Sequence, residues 1–115
     1  MDNSSPSGVS AMTCVELKAR LDSGEKPLLV DVREPFEREI ADLPEMDQLR
    51  IPVGDIATRM DEIPRDREVI LYCRSGGRSQ AVGQLLVSMG FSDVVNLTGG
   101  VLGWRADVDP TLEAY

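Results

Sequence analysis

The stretch Glu68-Val69-Ile70-Leu71-Tyr72-Cys73-Arg74-Ser75-Gly76-Gly77-Arg78-Ser79 decides how this chain reads. From Val69 to Cys73 the residues run apolar without alternation, as a strand does when both its faces are covered. Arg74 to Arg78 then form a loop with two adjacent glycines and two cations. Ser79 opens a helix that carries Ala81, Val82, Leu85, Leu86 and Met89 on one side and is ended by Gly90. A buried strand running through a tight loop into a helix is the repeating unit of a parallel α/β sheet.

The flanking sequence continues the alternation. Upstream, Thr13 with Glu16 three residues on is a capping-box pattern, and Val15, Leu17, Ala19 and Leu21 give that helix apolar surface up to Gly24. Leu28-Leu29-Val30-Asp31-Val32 reads as a second buried strand, broken by Arg33-Glu34-Pro35. Pro35 suits the first turn of a short helix through Ile40. Residues 41–48 read as an acidic loop. Leu49-Arg50-Ile51 is a short strand stopped by Pro52, and Asp55 caps a helix to about Ile63. Downstream, Asp93-Val94-Val95-Asn96-Leu97 is a further strand. Gly99-Gly100 turns the chain into a short helix with Val101, Leu102 and Trp104, and Asp107 leads an acidic tail to Tyr115. Strands and helices joined by short links predict a parallel sheet with helices on both faces. Residues 1–9 are Ser/Pro/Gly-rich and read as a flexible tail or linker; residues 10–115 read as one domain.

Composition narrows the chemistry. The chain has 115 residues, 12 Lys+Arg and 20 Asp+Glu, for a net charge of −8, and no histidine. An acidic surface makes nucleic acid and membranes poor partners. The missing histidine removes Ser-His-Asp and Cys-His catalysis and His-containing zinc sites. No metal-ligand cluster or cofactor motif is present. Two cysteines, Cys14 and Cys73, are too few for a disulfide scaffold and fit a reducing cytosol. No apolar run is long enough to span a membrane, and residues 1–10 lack a signal peptide's apolar stretch. A monomer is the default expectation at this size.

In an open parallel sheet the working site lies at the carboxyl ends of the strands, where Cys73 sits. The glycines let backbone N–H groups turn inward, and converging N–H groups at a helix start make an anion nest. With Arg74 and Arg78 nearby, the Cys73 thiol is expected to have a depressed pKa and to be a nucleophile without a general base. A strand cysteine is ordinarily core filler, and Cys14 is read that way; the loop context sets Cys73 apart. Asp31 and Arg33, at the neighbouring strand end, either flank the same mouth or form an ordinary ion pair. Trp104 is expected to pack in the core behind the Gly99-Gly100 turn.

Cys73-Arg74-Ser75-Gly76-Gly77-Arg78-Ser79 resembles the active-site loop of the rhodanese sulfurtransferases. Leu29-Val30-Asp31-Val32-Arg33-Glu34 resembles that family's "vDvRe" strand end. Asn96-Leu97-Thr98-Gly99-Gly100 with Gly103-Trp104 resembles its "L-x-G-G…W" signature, and Ile51-Pro52 its "IP" segment. The resemblance covers about residues 10 to 106, in order. It implies a rhodanese-like α/β fold with a five-stranded parallel sheet and Cys73 as the sulfur-carrying nucleophile. It implies a small sulfur donor, thiosulfate or a protein persulfide, with Arg74 and Arg78 holding the donor's anionic head. Ser75, Gly76, Gly77 and Ser79 would complete the persulfide site, with Asp31 and Arg33 bracing it. The segment 37–50 departs from the family's "E-x-G-H-I-x-G-A", which bears on substrate choice. The ending, through Asp109-Pro110-Thr111-Leu112 to Tyr115, is similar to that of rhodanese domains fused behind E1-like adenylyltransferases. That likeness brings in a sulfur-carrier protein or an adenylyltransferase domain as partner, and thiocarboxylate formation as an outcome. Two other classes stay open: a Cys-dependent phosphatase or arsenate reductase, whose usual C-x5-R spacing is one residue longer, and an inert rhodanese-like binding module.

Overall fold

The computed structural model describes residues 8–44 and 46–115. The sequence reading of residues 1–7 as tail lies outside them. The chain alternates strand and helix: β1 (Ser10–Thr13), α1 (Cys14–Asp22), β2 (Leu28–Asp31), α2 (Pro35–Ile40), β3 (Gln48–Arg50), α3 (Ile56–Arg59), β4 (Val69–Tyr72), α4 (Gly77–Ser88), β5 (Val94–Thr98) and α5 (Gly100–Asp107). The five strands form one parallel sheet in the order β1-β5-β4-β2-β3. The outermost, β1, has no apolar run to announce it: of Ser10-Ala11-Met12-Thr13 only Met12 is buried. Its backbone pairs along β5 with only one side chain packed, so no residue pattern marks it as a strand.

Both sheet faces are covered, which explains the unalternating strands. Val30 and Val32, with Val69, Leu71 and Cys73, face a core closed by Ile56, Val82 and Leu86. Leu29, Ile70 and Tyr72 face the other way, against Leu17, Val101 and Trp104. Cys73 thus lies one residue past the end of the central strand, on the α4 side. Val9, expected in the tail, is buried in that same core.

Three local expectations change. In α4 the buried stripe is Ser79, Val82, Gly83 and Leu86, while Leu85 and Met89 are 39% and 51% exposed. The cause is close approach at Gly83, where a Cβ would stand 3.1 Å from Val9 and 3.4 Å from Leu71. The helix turns that small residue to the sheet and rolls Leu85 outward. Residues 53–62 form two short 3-10 turns around the four-residue α3, not one helix capped by Asp55, which makes no side-chain cap bond. In α1 the Thr13/Glu16 capping box is present, but Val15 is 57% exposed and Leu17 is buried. Among the described residues no helix is long and apolar enough to cross a membrane.

The α4 stripe can be tested by urea unfolding. Leu86→Ala removes a fully buried side chain and should lower stability by about 2–5 kcal/mol. Leu85→Ala should stay within about 1 kcal/mol of the parent. Equal losses would contradict the packing described.

Candidate active site

Cys73 directly follows β4 and Gly77, four residues on, opens α4, so the loop has to reverse direction within a single turn. Gly76 makes this possible. Its φ is +111°, a region L side chains rarely adopt, and it is the N-cap of α4. A Cβ there would make only ordinary contacts, the nearest 3.5 Å away at the Gly99 nitrogen, so backbone conformation and not space demands glycine. The second glycine was expected to do the same. Gly77 instead has ordinary backbone, and a Cβ on it would meet nothing within 4 Å.

The loop presents donors to the thiol. The Gly76 amide donates to Cys73 Sγ at 3.1 Å and the Ser79 hydroxyl lies 3.4 Å away. The residue is 1% exposed, so the sulfur is held at the floor of the loop. Burial works to raise the thiol pKa. The Ser79 hydroxyl and the amides of Ser79, Gly76 and Ser75 work against it, and the net shift is downward. Ser79 has one proton to share, and Asn96 Oδ1 takes it at 2.6 Å as readily as sulfur does. The fixed amides are therefore the dependable donors.

The carbonyls are turned away by the next crossover. Val101 N–H donates to the Cys73 carbonyl and Leu102 N–H to the Arg74 carbonyl, each at 3.0 Å. These are first-turn amides of α5, which lack partners within their own helix. The fit requires Gly100, where a Cβ would come within 2.3 Å of the Cys73 carbonyl oxygen. Asn96 Nδ2 binds the Gly76 carbonyl at 3.2 Å, taking up a third. With these carbonyls bound elsewhere, the loop's N–H groups are left facing the sulfur. Asn96 and Gly100 stood in the C-terminal signature, but their work on the loop depends on β5 lying beside β4 and was not readable from spacing.

The cations are arranged differently from expectation. Arg78 does not stand free: both terminal nitrogens donate to Glu37 at 2.8 Å. Glu37 is buried on α2 and also accepts from the Glu34 amide at 2.8 Å. The Arg78 guanidinium, backed by that amide, holds its carboxyl at about 2 against burial. Arg74 is exposed and makes no ion pair among the described residues. Its guanidinium lies 5.3 Å from the ring centroid of Tyr115. Arg33 is buried, bidentate on Asp31 at 3.0 and 3.1 Å, and donates to the Ala41 carbonyl and to Tyr115 Oη, each at 2.8 Å. Asp31 and Arg33 thus brace the atypical segment 41–42 and the tail, and they make no bond to the Cys73 loop. Nothing in the sequence pointed to Glu37 or Tyr115.

Cys14, read as structural, is buried beneath the Gly100 turn, with Sγ 3.4 Å from the Gly100 carbonyl. Burial, then Asp107, pushes its thiol up to about 11. The same fold therefore holds one thiol against carbonyls and the other against amides.

Comparison with known proteins agrees with this architecture. The rhodanese-like domain model matches residues 13–107, and the chain belongs to that family. A sulfurtransferase of Allochromatium vinosum is 42% identical over 96 residues, covering 84% of this chain and 88% of that protein. The probable adenylyltransferase/sulfurtransferase MoeZ of Mycobacterium tuberculosis is 34% identical over 106 residues, but this chain spans 27% of its length. A rhodanese-like domain protein of Staphylococcus aureus superposes with a TM-score of 0.73 at 28% identity, over 91% of this chain and 97% of that one.

The two thiols should separate on titration. Peptide-resolved alkylation should give Cys73 a midpoint below the ordinary thiol value of about 8.5, with Cys14 unreactive at neutral pH. Ser79→Ala should move the Cys73 midpoint upward, because it removes a donor that favours the thiolate. A Cys73 midpoint above the ordinary value would contradict the reading of the loop.

Proposed function

We propose that this chain is a rhodanese-type sulfurtransferase that carries a sulfane sulfur on Cys73. The observation supporting this most strongly is the Cys73 sulfur facing the amides of the 75–79 loop while the Cys73 and Arg74 carbonyls are bound by α5. With no histidine in the chain, the thiolate is made available by hydrogen-bond donors and charge alone.

The first half-reaction uses a donor of the thiosulfate type. The Cys73 thiolate attacks the outer sulfur, a new S–S bond forms, and the donor's own S–S bond breaks. Sulfite leaves with the bonding electrons, and the negative charge retained by the protein moves to the outer sulfur of the persulfide. Amides preset around that position stabilise the charge without reorganising, as an oxyanion hole does. Arg74, free of ion pairs among the described residues, meets the donor's sulfonate; Arg78 contributes through the loop's field while committed to Glu37. In the second half-reaction a thiophilic acceptor attacks the outer sulfur and the Cys73 thiolate departs, restoring the site. Likeness to the adenylyltransferase/sulfurtransferase MoeZ and to the putative sulfur carrier protein YrkF of Bacillus subtilis supports a second kind of acceptor, the adenylated carboxylate of a carrier protein. There the persulfide's outer sulfur is the nucleophile and displaces the adenylate from the acyl carbon. An external dithiol reduces the resulting acyl disulfide to free the thiocarboxylate and the Cys73 thiolate.

A Cys-dependent phosphatase needs an arginine turned into the loop on a tetrahedral anion. Four residues separate Cys73 from Arg78 and the guanidinium points to Glu37, which weighs against that class.

Mass spectrometry after brief thiosulfate treatment tests the proposal. The parent protein should gain one sulfur atom, and Cys73→Ser should gain none. Gly76→Val should lose most of the gain, because a β-branched residue resists the +111° backbone, whereas Gly77→Ala should keep it. A parent protein that takes up no sulfur, or a Gly76→Val variant that keeps the full rate, would refute the proposal.

A further inference from the structure

The acidic tail does more than trail from α5. The amides of Val108 and Asp109 both bind the Trp104 carbonyl at 2.8 Å, and Arg105 Nε holds the Leu112 carbonyl at 2.8 Å. Val108, Leu112 and Tyr115 pack against the core on the α1/α5 side. This path brings Tyr115, the last residue of the sequence, to the mouth of the Cys73 loop.

There its hydroxyl is anchored twice. It accepts from Arg33 Nη1 at 2.8 Å and donates to Glu37 Oε1 at 3.1 Å. For Arg33, whose side chain is buried, it takes the one guanidinium N–H that no other group accepts, while Glu37 is satisfied without it. Arg33 Nη1 also reaches the Ala41 carbonyl, and Glu37 already receives both nitrogens of Arg78 and the Glu34 amide. What the anchoring determines is where the ring lies, and the ring lies under the Arg74 guanidinium, 5.3 Å from centroid to carbon. That distance is within the range of a cation–π contact. Arg74 is otherwise an exposed, long side chain without an ion pair among the described residues.

We propose that Tyr115 is a positioning residue for the reaction at Cys73: anchored by Arg33 and Glu37, its ring holds Arg74 at the mouth, where that cation receives the anionic end of the incoming molecule. The identity of that molecule as a sulfur donor rests on the function proposed above. The positioning itself is a statement about charge at the mouth, and it is measurable without sulfur transfer.

The test compares alkylation of Cys73 by iodoacetate, an anion, with alkylation by neutral iodoacetamide, read on the Cys73 peptide. Tyr115→Ala should lower the iodoacetate-to-iodoacetamide rate ratio by about threefold or more, with the iodoacetamide rate nearly unchanged. Tyr115→Phe, which keeps the ring and loses its anchors, should fall between Tyr115→Ala and the parent, and guards against a folding defect. In an Arg74→Ala background, Tyr115→Ala should have little further effect, since it acts through Arg74. With thiosulfate as substrate, Tyr115→Ala should raise KM while leaving kcat within about twofold. An unchanged ratio in Tyr115→Ala and Tyr115→Phe, or effects of Tyr115 and Arg74 that simply add, would overturn the proposal. A ratio that falls as expected in a protein whose parent takes no sulfur from thiosulfate would uphold the positioning role and overturn the sulfur-transfer reading instead.

Discussion

Two hydrogen bonds from α5 determine which way the peptide planes after Cys73 face. A peptide plane has an N–H edge and a C=O edge, and a tight loop around a sulfur atom presents one or the other. Here the Cys73 and Arg74 carbonyls are taken by the amides of Val101 and Leu102. Those amides are free because they open a helix, and they come close enough because residue 100 has no side chain. A loop of the same sequence without α5 behind it would be at liberty to turn carbonyls inward, and a sulfur anion would then be repelled. The strand order puts β5 next to β4, so α5 starts beside the loop that it orients.

Charge at the mouth is arranged on a second level. Six acidic or basic side chains are tied together behind the site: Asp31, Arg33, Asp42 and Arg50 under one part, Glu37 and Arg78 under the other. Tyr115 joins the two groups through its hydroxyl. Asp31, Arg33 and Glu37 are buried while Asp42, Arg50 and Arg78 are partly exposed, so the pairs gain little net energy over apolar packing but penalise any geometry that leaves a buried member unpaired, and their contribution is to placement. Glu37 is held at about 2, so its part of this arrangement is fully present above the ordinary glutamate range and is lost only as pH falls toward 2. In a molecule of net charge −8, Arg74 stays out of every such pair among the described residues, so its charge is left unneutralised beside the Cys73 loop.

What was legible in the sequence follows from how local each feature is. Cys73 through Ser79 carry the strand end, the reversal and the helix start within seven residues, so the loop's local geometry is readable in place. The central strands were readable because burial on two faces leaves an unbroken apolar run. The edge strand β1 has one buried side chain and carries no apolar pattern for that reason. Glu37 meets Arg78 across 41 positions, and Tyr115 meets Arg33 across 82; no periodicity connects residues that far apart. Gly77 misled in the opposite sense, since adjacent glycines suggested two reversals where the backbone makes one. Arg78 lies in the first turn of α4 and not in the loop, and its engagement by Glu37 depends on α2 coming within reach of that turn, which the sequence does not display.

The orientation of the loop amides is examined most directly by a crystal structure of the protein after reaction with thiosulfate. The outer sulfur on Cys73 should lie within hydrogen-bond reach of the backbone nitrogens between Ser75 and Ser79, with the Cys73 and Arg74 carbonyls still bound to Val101 and Leu102. An outer sulfur turned out of the loop, or a loop flipped so that carbonyl oxygens surround it, would contradict the account.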